Sequence, residues 1–276
     1  MTTLDRDCGF RPAAIHRALD GRIIEAVEDP VAIEEPLEIQ IGFTGETRLT
    51  RTVAVTMRTP GQDRELAAGY LYSERILTEP EDVAAIWAHG NVVRIEIARR
   101  GNIDLERLER YGYISSSCGI CGKTSLGDLL DLPRVERGES VRADLIGALP
   151  DRLRREQAVF NRTGGLHASA LFDLDGTLLR VTEDVGRHNA LDKLIGTAFL
   201  ERTLPLSNRV LLLSGRASYE LIHKAAAAGI PVVASVGAPS SLAVRAAEVA
   251  EITLIGFVRG SGFNIYCGRD RIREAA

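Results

Sequence analysis

Two of the four cysteines in the chain, Cys118 and Cys121, stand only two residues apart in the segment S-S-S-C-G-I-C-G-K. The other two, Cys8 and Cys267, have no cysteine near them in sequence. A Cys-x-x-Cys pair can supply half of a zinc site, act as a thioredoxin-like dithiol, or carry sulfur as a persulfide. The residues around the pair distinguish these three chemistries.

A zinc site would need two more ligands, which usually come as a second close pair. The five histidines include no pair at zinc-finger spacing. No histidine is followed by x-Glu, and Ser117 precedes Cys118 where a zinc deaminase has proline. Zinc is therefore disfavoured, and we predict no metal ligands.

A thioredoxin-like pair would begin a helix within a βαβ unit, whereas serines and glycines here predict a loop. Sulfur relay suits these surroundings, because the carrier must be a thiolate that visits a donor and then an acceptor. Lys123 favours the thiolate form. Cys118 and Cys121 are thus the predicted catalytic residues of a persulfide carrier.

The overall composition is that of an ordinary globular protein. The chain has 276 residues, a net charge of −4, 45% hydrophobic residues and 26% charged residues, and no basic block that would favour nucleic-acid binding. Asp5 and Asp7 stand where an export signal would be apolar, so we expect a cytoplasmic protein. Glycine, proline and serine interrupt the uncharged run 225–244, which predicts a helix end, a strand and a helix start rather than a membrane span.

The pattern of elements predicts two parts. Near-alternating segments 31–43, 51–58 and 91–98 predict strands, and Asp63 is expected to cap a helix between them. The segment 131–140 is predicted to be a linker. From about residue 142, helices alternate with short apolar strands. This predicts a three-layer α/β/α sandwich with a mixed, largely parallel sheet over 136–276, and a smaller α+β part over 1–135.

The segment A-L-F-D-L-D-G-T-L-L resembles the first motif of haloacid-dehalogenase phosphatases, with Asp173 as nucleophile and Asp175 as acid. No paired aspartates follow downstream to hold Mg²⁺. A tight hairpin turn flanked by apolar residues explains the segment better.

Glycine-, serine- and arginine-rich turns follow three apolar strands, at 214–218, 235–241 and 257–264, and Gly186 precedes a helix that starts at Arg187. Strand ends and helix N-termini of open α/β sheets bind anionic groups. A phosphate-rich ligand is expected there, countered by Arg187, Arg216 and Arg259. His188 is a candidate site residue, and His167 is expected to be a hydrogen-bonded, partly buried histidine.

Five segments carry a resemblance to a known family. They are S-S-S-C-G-I-C-G-K, F-N-R-T-G-G-L-H-A-S-A-L-F, E-D-V-G-R-H-N-A-L-D-K-L-I-G, L-S-G-R-A-S-Y-E-L and F-V-R-G-S-G-F-N-I-Y. In this order they resemble the FdhD/NarQ family of formate dehydrogenase accessory sulfurtransferases, over nearly all of the chain from about residue 35.

The resemblance implies a cytidine-deaminase-like fold without its metal chemistry, and a homodimer. It also implies that Cys118 accepts sulfur from a cysteine desulfurase, with Cys121 as its partner. The sulfur would go to the bis-molybdopterin guanine dinucleotide form of the molybdenum cofactor, which is the bound substrate, before insertion into formate dehydrogenase.

The cofactor-binding residues fall in two groups. The family's cofactor-binding stretch falls on Phe257, Val258, Arg259, Gly260, Ser261 and Gly262. The strand-end and helix-start argument adds Arg187, His188, Asn189, Ser214, Gly215 and Arg216. Two alternatives remain, a cofactor-binding chaperone without sulfur chemistry and a zinc-dependent deaminase-like hydrolase.

Overall fold

The computed structural model describes residues 9–43, 50–98, 131–260 and 262–274, and within them the chain forms fourteen strands and six helices. The strands are β1 (Phe10–Leu19), β2 (Arg22–Ala32), β3 (Glu35–Phe43), β4 (Arg51–Arg58), β5 (Val83–His89), β6 (Val92–Ile97), β7 (Val141–Arg142), β8 (His167–Phe172), β9 (Leu178–Asp184), β10 (Val210–Leu213), β11 (Val232–Ser235), β12 (Thr253–Arg259), β13 (Gly262–Cys267) and β14 (Ile272–Arg273). The helices are α1 (Asp63–Ser73), α2 (Ala143–Glu156), α3 (Phe160–Thr163), α4 (Arg187–Leu200), α5 (Tyr219–Ala227) and α6 (Ser241–Val249).

The larger sheet has six strands in the order β13-β12-β11-β10-β8-β9. It is mixed, as predicted, but the expectation of a largely parallel sheet is wrong. Only the β10–β11 and β11–β12 pairings are parallel, and the other three are antiparallel. The physical reason is that β8–β9 and β12–β13 are joined by short turns, which return the chain antiparallel, whereas a parallel neighbour needs a long crossover.

Helices cover both faces of this sheet. Leu211 and Leu213 point to one face and pack with α4, α5 and α6. Val210 and Leu212 point to the other and pack with α2. β10 and β11 are therefore buried on both sides, which explains why β10 is wholly apolar and β11 is apolar except for Ser235. The similarity in fold to cytidine deaminases stays a prediction.

A second, four-stranded sheet has the order β4-β3-β6-β5 and packs one face on α1. Leu37, Ile39 and Ile41 alternate along β3 and are fully buried in this smaller core. The segment 131–140 has no regular structure, yet Leu132 and Val135 are buried in the core of the larger unit. The division of the chain at residue 135 stays a prediction.

The two units meet where α1 crosses α4. Gly69 and Gly196 face each other at the crossing: a Cβ added at Gly69 would overlap the Asp192 carbonyl oxygen, and one added at Gly196 would overlap the Glu65 carbonyl oxygen. The two glycines thus allow the backbones of the helices to touch, and Phe199 of α4 reaches into the smaller core.

Three local predictions need correction. The hairpin β1–β2 was not predicted, because its largely exposed side chains leave no clear hydrophobic pattern. The N-cap of α1 is Gln62 rather than Asp63, whose carboxylate instead binds the Arg58 guanidinium at 2.8 and 3.0 Å. The first helical segment of the alternation predicted from about residue 142 is two helices, since the chain leaves helical geometry at Gln157 before α3 begins.

Two sequence alternatives are resolved by the fold. Asp173 accepts hydrogen bonds from the backbone N–H groups of Asp175 and Thr177, at 3.0 and 2.7 Å, so its carboxylate organises the β8–β9 turn. The uncharged run 225–244 contains the end of α5, β11 and the start of α6. None of the helices in the described part of the chain has the length and apolar character needed to cross a bilayer.

The crossing of α1 and α4 gives a first prediction. Gly69→Ala should lower the free energy of unfolding by more than about 3 kcal/mol, above the usual cost of overpacking, because backbone atoms must separate. Urea denaturation measures this. The matched control is Gly262→Ala, where the added Cβ meets only the Arg259 carbonyl oxygen at 3.8 Å. Equal stability of the two variants would show that the helices do not need this close approach.

Candidate functional site

The turns after β10, β11 and the middle of β12 are joined at one edge of the larger sheet. The N–H of Gly237 donates to the carbonyl oxygen of Gly215 at 2.9 Å, and the N–H of Phe257 donates to that of Gly237 at 3.1 Å. Backbone hydrogen bonds thereby connect the predicted segments 214–216 and 257–260 through the turn at Gly237, which lies between them. This is the arrangement that the three glycine-rich turns predict.

Small residues are required for this close packing. A Cβ added at Gly237 would stand 3.0 Å from the Gly215 carbonyl oxygen, and one added at Gly215 would stand 3.2 Å from Nδ1 of His167. A side chain at Gly237 would push its turn away from the turn at Gly215, and a side chain at Gly215 would displace the His167 ring. Local packing therefore requires glycine at these positions, independently of any ligand.

His167 begins β8 and lies beside the turn at 214–216. The Oγ of Ser214 accepts a hydrogen bond from the N–H of Ala168 at 2.8 Å, which ties the turn to this strand. Burial lowers the pKa of His167, and the nearby positive charges of Arg187 and His188 lower it further. His167 is therefore a neutral imidazole at neutral pH. It is half-buried, as expected, but it belongs to the site.

The start of α4 is held by the carboxylate of Asp184. This group is completely buried and accepts hydrogen bonds from the N–H of Gly186 at 2.8 Å and the N–H of Thr59 at 3.1 Å. Lys193 completes the arrangement with an ion pair at 2.7 Å. The turn that presents Arg187 and His188 is consequently fixed against both the sheet and the smaller unit.

His188 links the first turn of α4 to that of α5. Its Nε2 lies 3.2 Å from Oγ of Ser218, the residue that precedes α5, and 3.7 Å from Oε2 of Glu220. The hydrogen bond with His188 is the largest cause that lowers the pKa of Glu220 to about 2. Glu220 is thus ionised at neutral pH.

The edge offers several groups that can hold an anion. The N-terminus of α4, a helix of fourteen residues, carries the positive end of its dipole beside Arg187 and His188. The Nε atom of Arg187 is buried and has no hydrogen-bond partner within the described ranges. Arg216 and Arg259 are exposed on the neighbouring turns. These features fit a phosphate-bearing ligand.

The predicted site residues fall into three sets. The first set belongs to this edge and consists of Arg187, His188, Ser214, Gly215, Arg216, Phe257, Arg259 and Gly260. Gly262 follows the edge at the start of β13. Val258 and Asn189 are buried: Val258 packs in the core beneath α2, and the Asn189 amide donates to the Met57 carbonyl oxygen at 2.7 Å and to Asp184 at 3.2 Å. Cys118, Cys121 and Ser261 lie outside the described residues.

Sequence reasoning missed Ser218 and Glu220. Both stand in the segment L-S-G-R-A-S-Y-E-L, but their role depends on His188, which is thirty residues away in the chain. No spacing rule connects them. Within the described ranges, no group of three or more His, Cys, Asp and Glu side chains could hold a metal ion.

Comparison with known proteins gives the family. The model of the FdhD/NarQ family matches residues 32–273. The chain belongs to the FdhD/NarQ family. Curated FdhD relatives named sulfur carrier protein FdhD include one from Streptomyces coelicolor, 49% identical over 262 residues, which are 88% of this chain and 89% of the relative. Another, from Sulfurisphaera tokodaii, is 46% identical over 250 residues, covering 90% and 94%.

A solved structure shows the same fold. The crystal structure of a candidate formate dehydrogenase accessory protein from Desulfotalea psychrophila aligns with a TM-score of 0.74 over 96% of this chain and 99% of that one. The sequence identity is 21%, so the likeness concerns the fold alone. The overall arrangement of this FdhD/NarQ chain therefore exists in an experimental structure.

The contact between His188 and Glu220 predicts a pH dependence. Because folding lowers the pKa of Glu220 from 4.5 to about 2, its stabilising contribution is present above pH 4.5 and is lost as the pH falls toward 2. The stability advantage of the wild type over Glu220→Gln should therefore shrink between pH 5 and pH 2.5. Urea denaturation across this range measures it.

Glu139→Gln is the matched control, because Glu139 is exposed in a segment without regular structure. Its stability difference from the wild type should change little over the same range. An advantage over Glu220→Gln that stays constant down to pH 2.5 would contradict the contact.

Proposed function

We propose that this chain is a sulfur carrier protein for formate dehydrogenase. It accepts sulfane sulfur from a cysteine desulfurase as a persulfide on Cys118. It then transfers the sulfur to the bis-molybdopterin guanine dinucleotide form of the molybdenum cofactor before the cofactor enters the enzyme. Membership of the FdhD/NarQ family and the names of the curated relatives support the sulfur-carrier role.

One observation in the structure carries the cofactor part of the proposal. Three segments that are far apart in sequence converge at one sheet edge. They are the start of α4 with Arg187 and His188, the turn at 214–216, and the turn after Gly256. Backbone amides and a helix N-terminus stand together there with Arg187, whose buried Nε has no hydrogen-bond partner among the described residues. A dinucleotide arm carries phosphates that such an edge would bind.

The sulfur chemistry follows from the two thiols. The Cys118 thiolate attacks the terminal sulfur of the donor persulfide, an S–S bond forms on Cys118, and the donor cysteine leaves as a thiolate. To release the sulfur, the Cys121 thiol attacks the inner sulfur of the Cys118 persulfide. A Cys118–Cys121 disulfide forms and the terminal sulfur departs as hydrogen sulfide. The two thiols thereby supply the two electrons that reduce the sulfane sulfur.

The remaining assignments belong to the same proposal. The desulfurase and formate dehydrogenase are the protein partners, the site of action is the cytoplasm, and the chain is a homodimer. No resident metal takes part, and the molybdenum cofactor is the substrate.

A cofactor-binding chaperone is the competing function. It would use the same sheet edge, so the edge does not distinguish the two, but it would not need the cysteines. A zinc-dependent hydrolase would instead contain stoichiometric zinc, which metal analysis of the purified protein measures.

The central experiment follows sulfur on the protein. After incubation with a cysteine desulfurase and cysteine, intact-protein and peptide mass spectrometry should find one added sulfur on Cys118. Cys118→Ala should lose this addition and should fail to restore formate dehydrogenase activity in cells that lack the native protein. Cys121→Ala should load Cys118 but release the sulfur slowly.

Cys267→Ala is the matched control, because burial raises the pKa of Cys267 and its sulfur contacts the Ile252 carbonyl oxygen at 3.2 Å. It should load sulfur and restore activity like the wild type. Full activity with both Cys118 and Cys121 replaced would reject sulfur transfer and favour the chaperone.

A further inference from the structure

A buried ion pair lies between α4 and α5. The Lys224 ammonium is 2.8 Å from Oδ1 of Asp192, and the two side chains are only 6% and 2% exposed. Ser73, the last residue of α1, donates from its Oγ to the same carboxylate oxygen at 3.2 Å. Lys224 also lies over the Tyr70 ring of α1, with its Nζ 5.5 Å from the ring centroid. Three helices thus meet at one pair of charges that the proposed sulfur chemistry does not use.

This pair is one of two charged contacts between the same two helices. His188 and Asp192 are four residues apart on α4, and Glu220 and Lys224 are four residues apart on α5. Residues at this spacing share one face of a helix. His188 contacts Glu220 at 3.7 Å, and one turn further along both helices Asp192 contacts Lys224. α4 and α5 therefore run side by side in the same direction, and both N-termini lie at the sheet edge described above.

The first turns of α4 and α5 have no side-chain cap among the described residues. The N-cap of α4 is Gly186, which has no side chain, and the N-cap of α5 is Ser218, whose hydroxyl makes no capping bond. Ser218 Oγ instead lies 3.2 Å from Nε2 of His188. In α6, by contrast, the N-cap Ser240 accepts a hydrogen bond from the N–H of Ala243 at 3.2 Å.

Two uncapped N-termini at one place have opposite consequences. Their free N–H groups and positive dipole ends suit an anion. Without an anion, the positive ends of two parallel helices repel each other, so the first turns tend to separate. A contact that holds the two helices together is therefore needed before the ligand arrives.

The buried pair has the properties of such a contact. A buried ion pair stabilises a fold little more than apolar residues of the same volume, because both charges lose their hydration. Its hydrogen bonds are directional, however. The Asp192 carboxylate binds Lys224 of α5 and Ser73 of α1, so it makes both contacts only when both helices are correctly placed against α4.

We propose that Asp192 and Lys224 are positioning residues for the ligand edge. Their pair, tied to α1 through Ser73, holds the first turns of α4 and α5 side by side, so that N–H groups of both turns bind one anionic group of the ligand. The two side chains lie one turn inside the helices and act through the backbone. The proposal rests on the proposed function for the presence of phosphate in the ligand.

The test uses the full chain and the double variant Asp192→Leu with Lys224→Met. These substitutions remove both charges together and keep similar volumes, so no unpaired charge stays buried, and the Ser73 hydroxyl can donate to a carbonyl oxygen of its own helix. The urea midpoint of the double variant should therefore stay close to that of the wild type. Its affinity for pyrophosphate, measured by isothermal titration calorimetry, should fall at least about tenfold.

Hydrogen exchange reports the position of the first turns directly. The N–H of Ala190 donates to the Gly186 carbonyl oxygen, and the N–H of Ile222 donates to that of Ser218, which are the first hydrogen bonds of α4 and α5. Both amides should exchange at least about tenfold faster in the double variant.

Arg180→Met with Glu201→Leu is the matched control. This ion pair, at 2.8 Å, joins β9 to the residue that follows α4, at the end of the helix away from the sheet edge. The control variant should bind pyrophosphate and exchange both amides like the wild type.

Wild-type affinity for pyrophosphate, or wild-type exchange of both amides, in a folded Asp192→Leu and Lys224→Met protein would overturn the proposal. If this protein does not fold, Ser73→Ala decides, because it removes one of the two contacts of Asp192. Pyrophosphate binding should then weaken at least about threefold, and unchanged binding rejects the proposal.

Two further measurements separate this proposal from the proposed function. If the wild type does not bind pyrophosphate, or if Arg187→Ala binds it as tightly as the wild type, the phosphate edge is rejected and the exchange rates alone decide the positioning role. If Cys118 of the wild type does not load sulfur, only the sulfur-carrier function is rejected.

Discussion

The buried carboxylate of Asp184 joins the parts of the molecule that form the site. It accepts hydrogen bonds from the backbone of the smaller unit at Thr59 and from the turn before α4 at Gly186, and it pairs with Lys193 inside α4. A buried charge destabilises the folded protein unless it is paired and hydrogen-bonded. The partners of Asp184 lie in the smaller unit, in the turn before α4 and in α4 itself, so the carboxylate is stabilised only when all three are correctly placed. These contacts therefore hold the first turn of α4, with Arg187 and His188, in place at the sheet edge.

Electrostatics at the edge differ from those of the whole chain. The net charge of −4 would not attract an anion, so binding depends on local groups. On one side of the edge are the cations Arg187, Arg216 and Arg259 and the dipole of α4. On the other side, beneath α2, a cavity of about 500 Å³ is lined by the polar side chains of Gln157, Ser214 and His167 and also by the charged side chains of Asp151 and Arg154.

The sequence predicted most of the larger unit, because its central strands are short apolar runs separated by amphipathic helices. It also predicted that the turns after these strands meet. Prediction from the sequence failed where the pattern of buried residues was not periodic, or where burial depended on residues distant in the chain. The exposed hairpin β1–β2 has no periodic hydrophobic pattern. The antiparallel pairings at the two edges of the larger sheet depend on which strands pair with each other. Val258 was predicted to touch the cofactor, but its side chain is buried in the core. Which side of β12 faces the core is known only once the sheet has formed.

The claim that joins the proposed site to the proposed function is that a cofactor held at this edge receives the sulfur that Cys118 carries. Transfer of ³⁵S from cysteine, through a desulfurase and this protein, to the cofactor of formate dehydrogenase tests it most directly when the wild type is compared with the double variant Arg187→Ala and Arg216→Ala. The double variant should load Cys118 with ³⁵S as fully as the wild type, but label reaching formate dehydrogenase should fall at least about tenfold, since charge-assisted contacts to phosphate are lost. Label that reaches formate dehydrogenase at the wild-type rate would contradict the account.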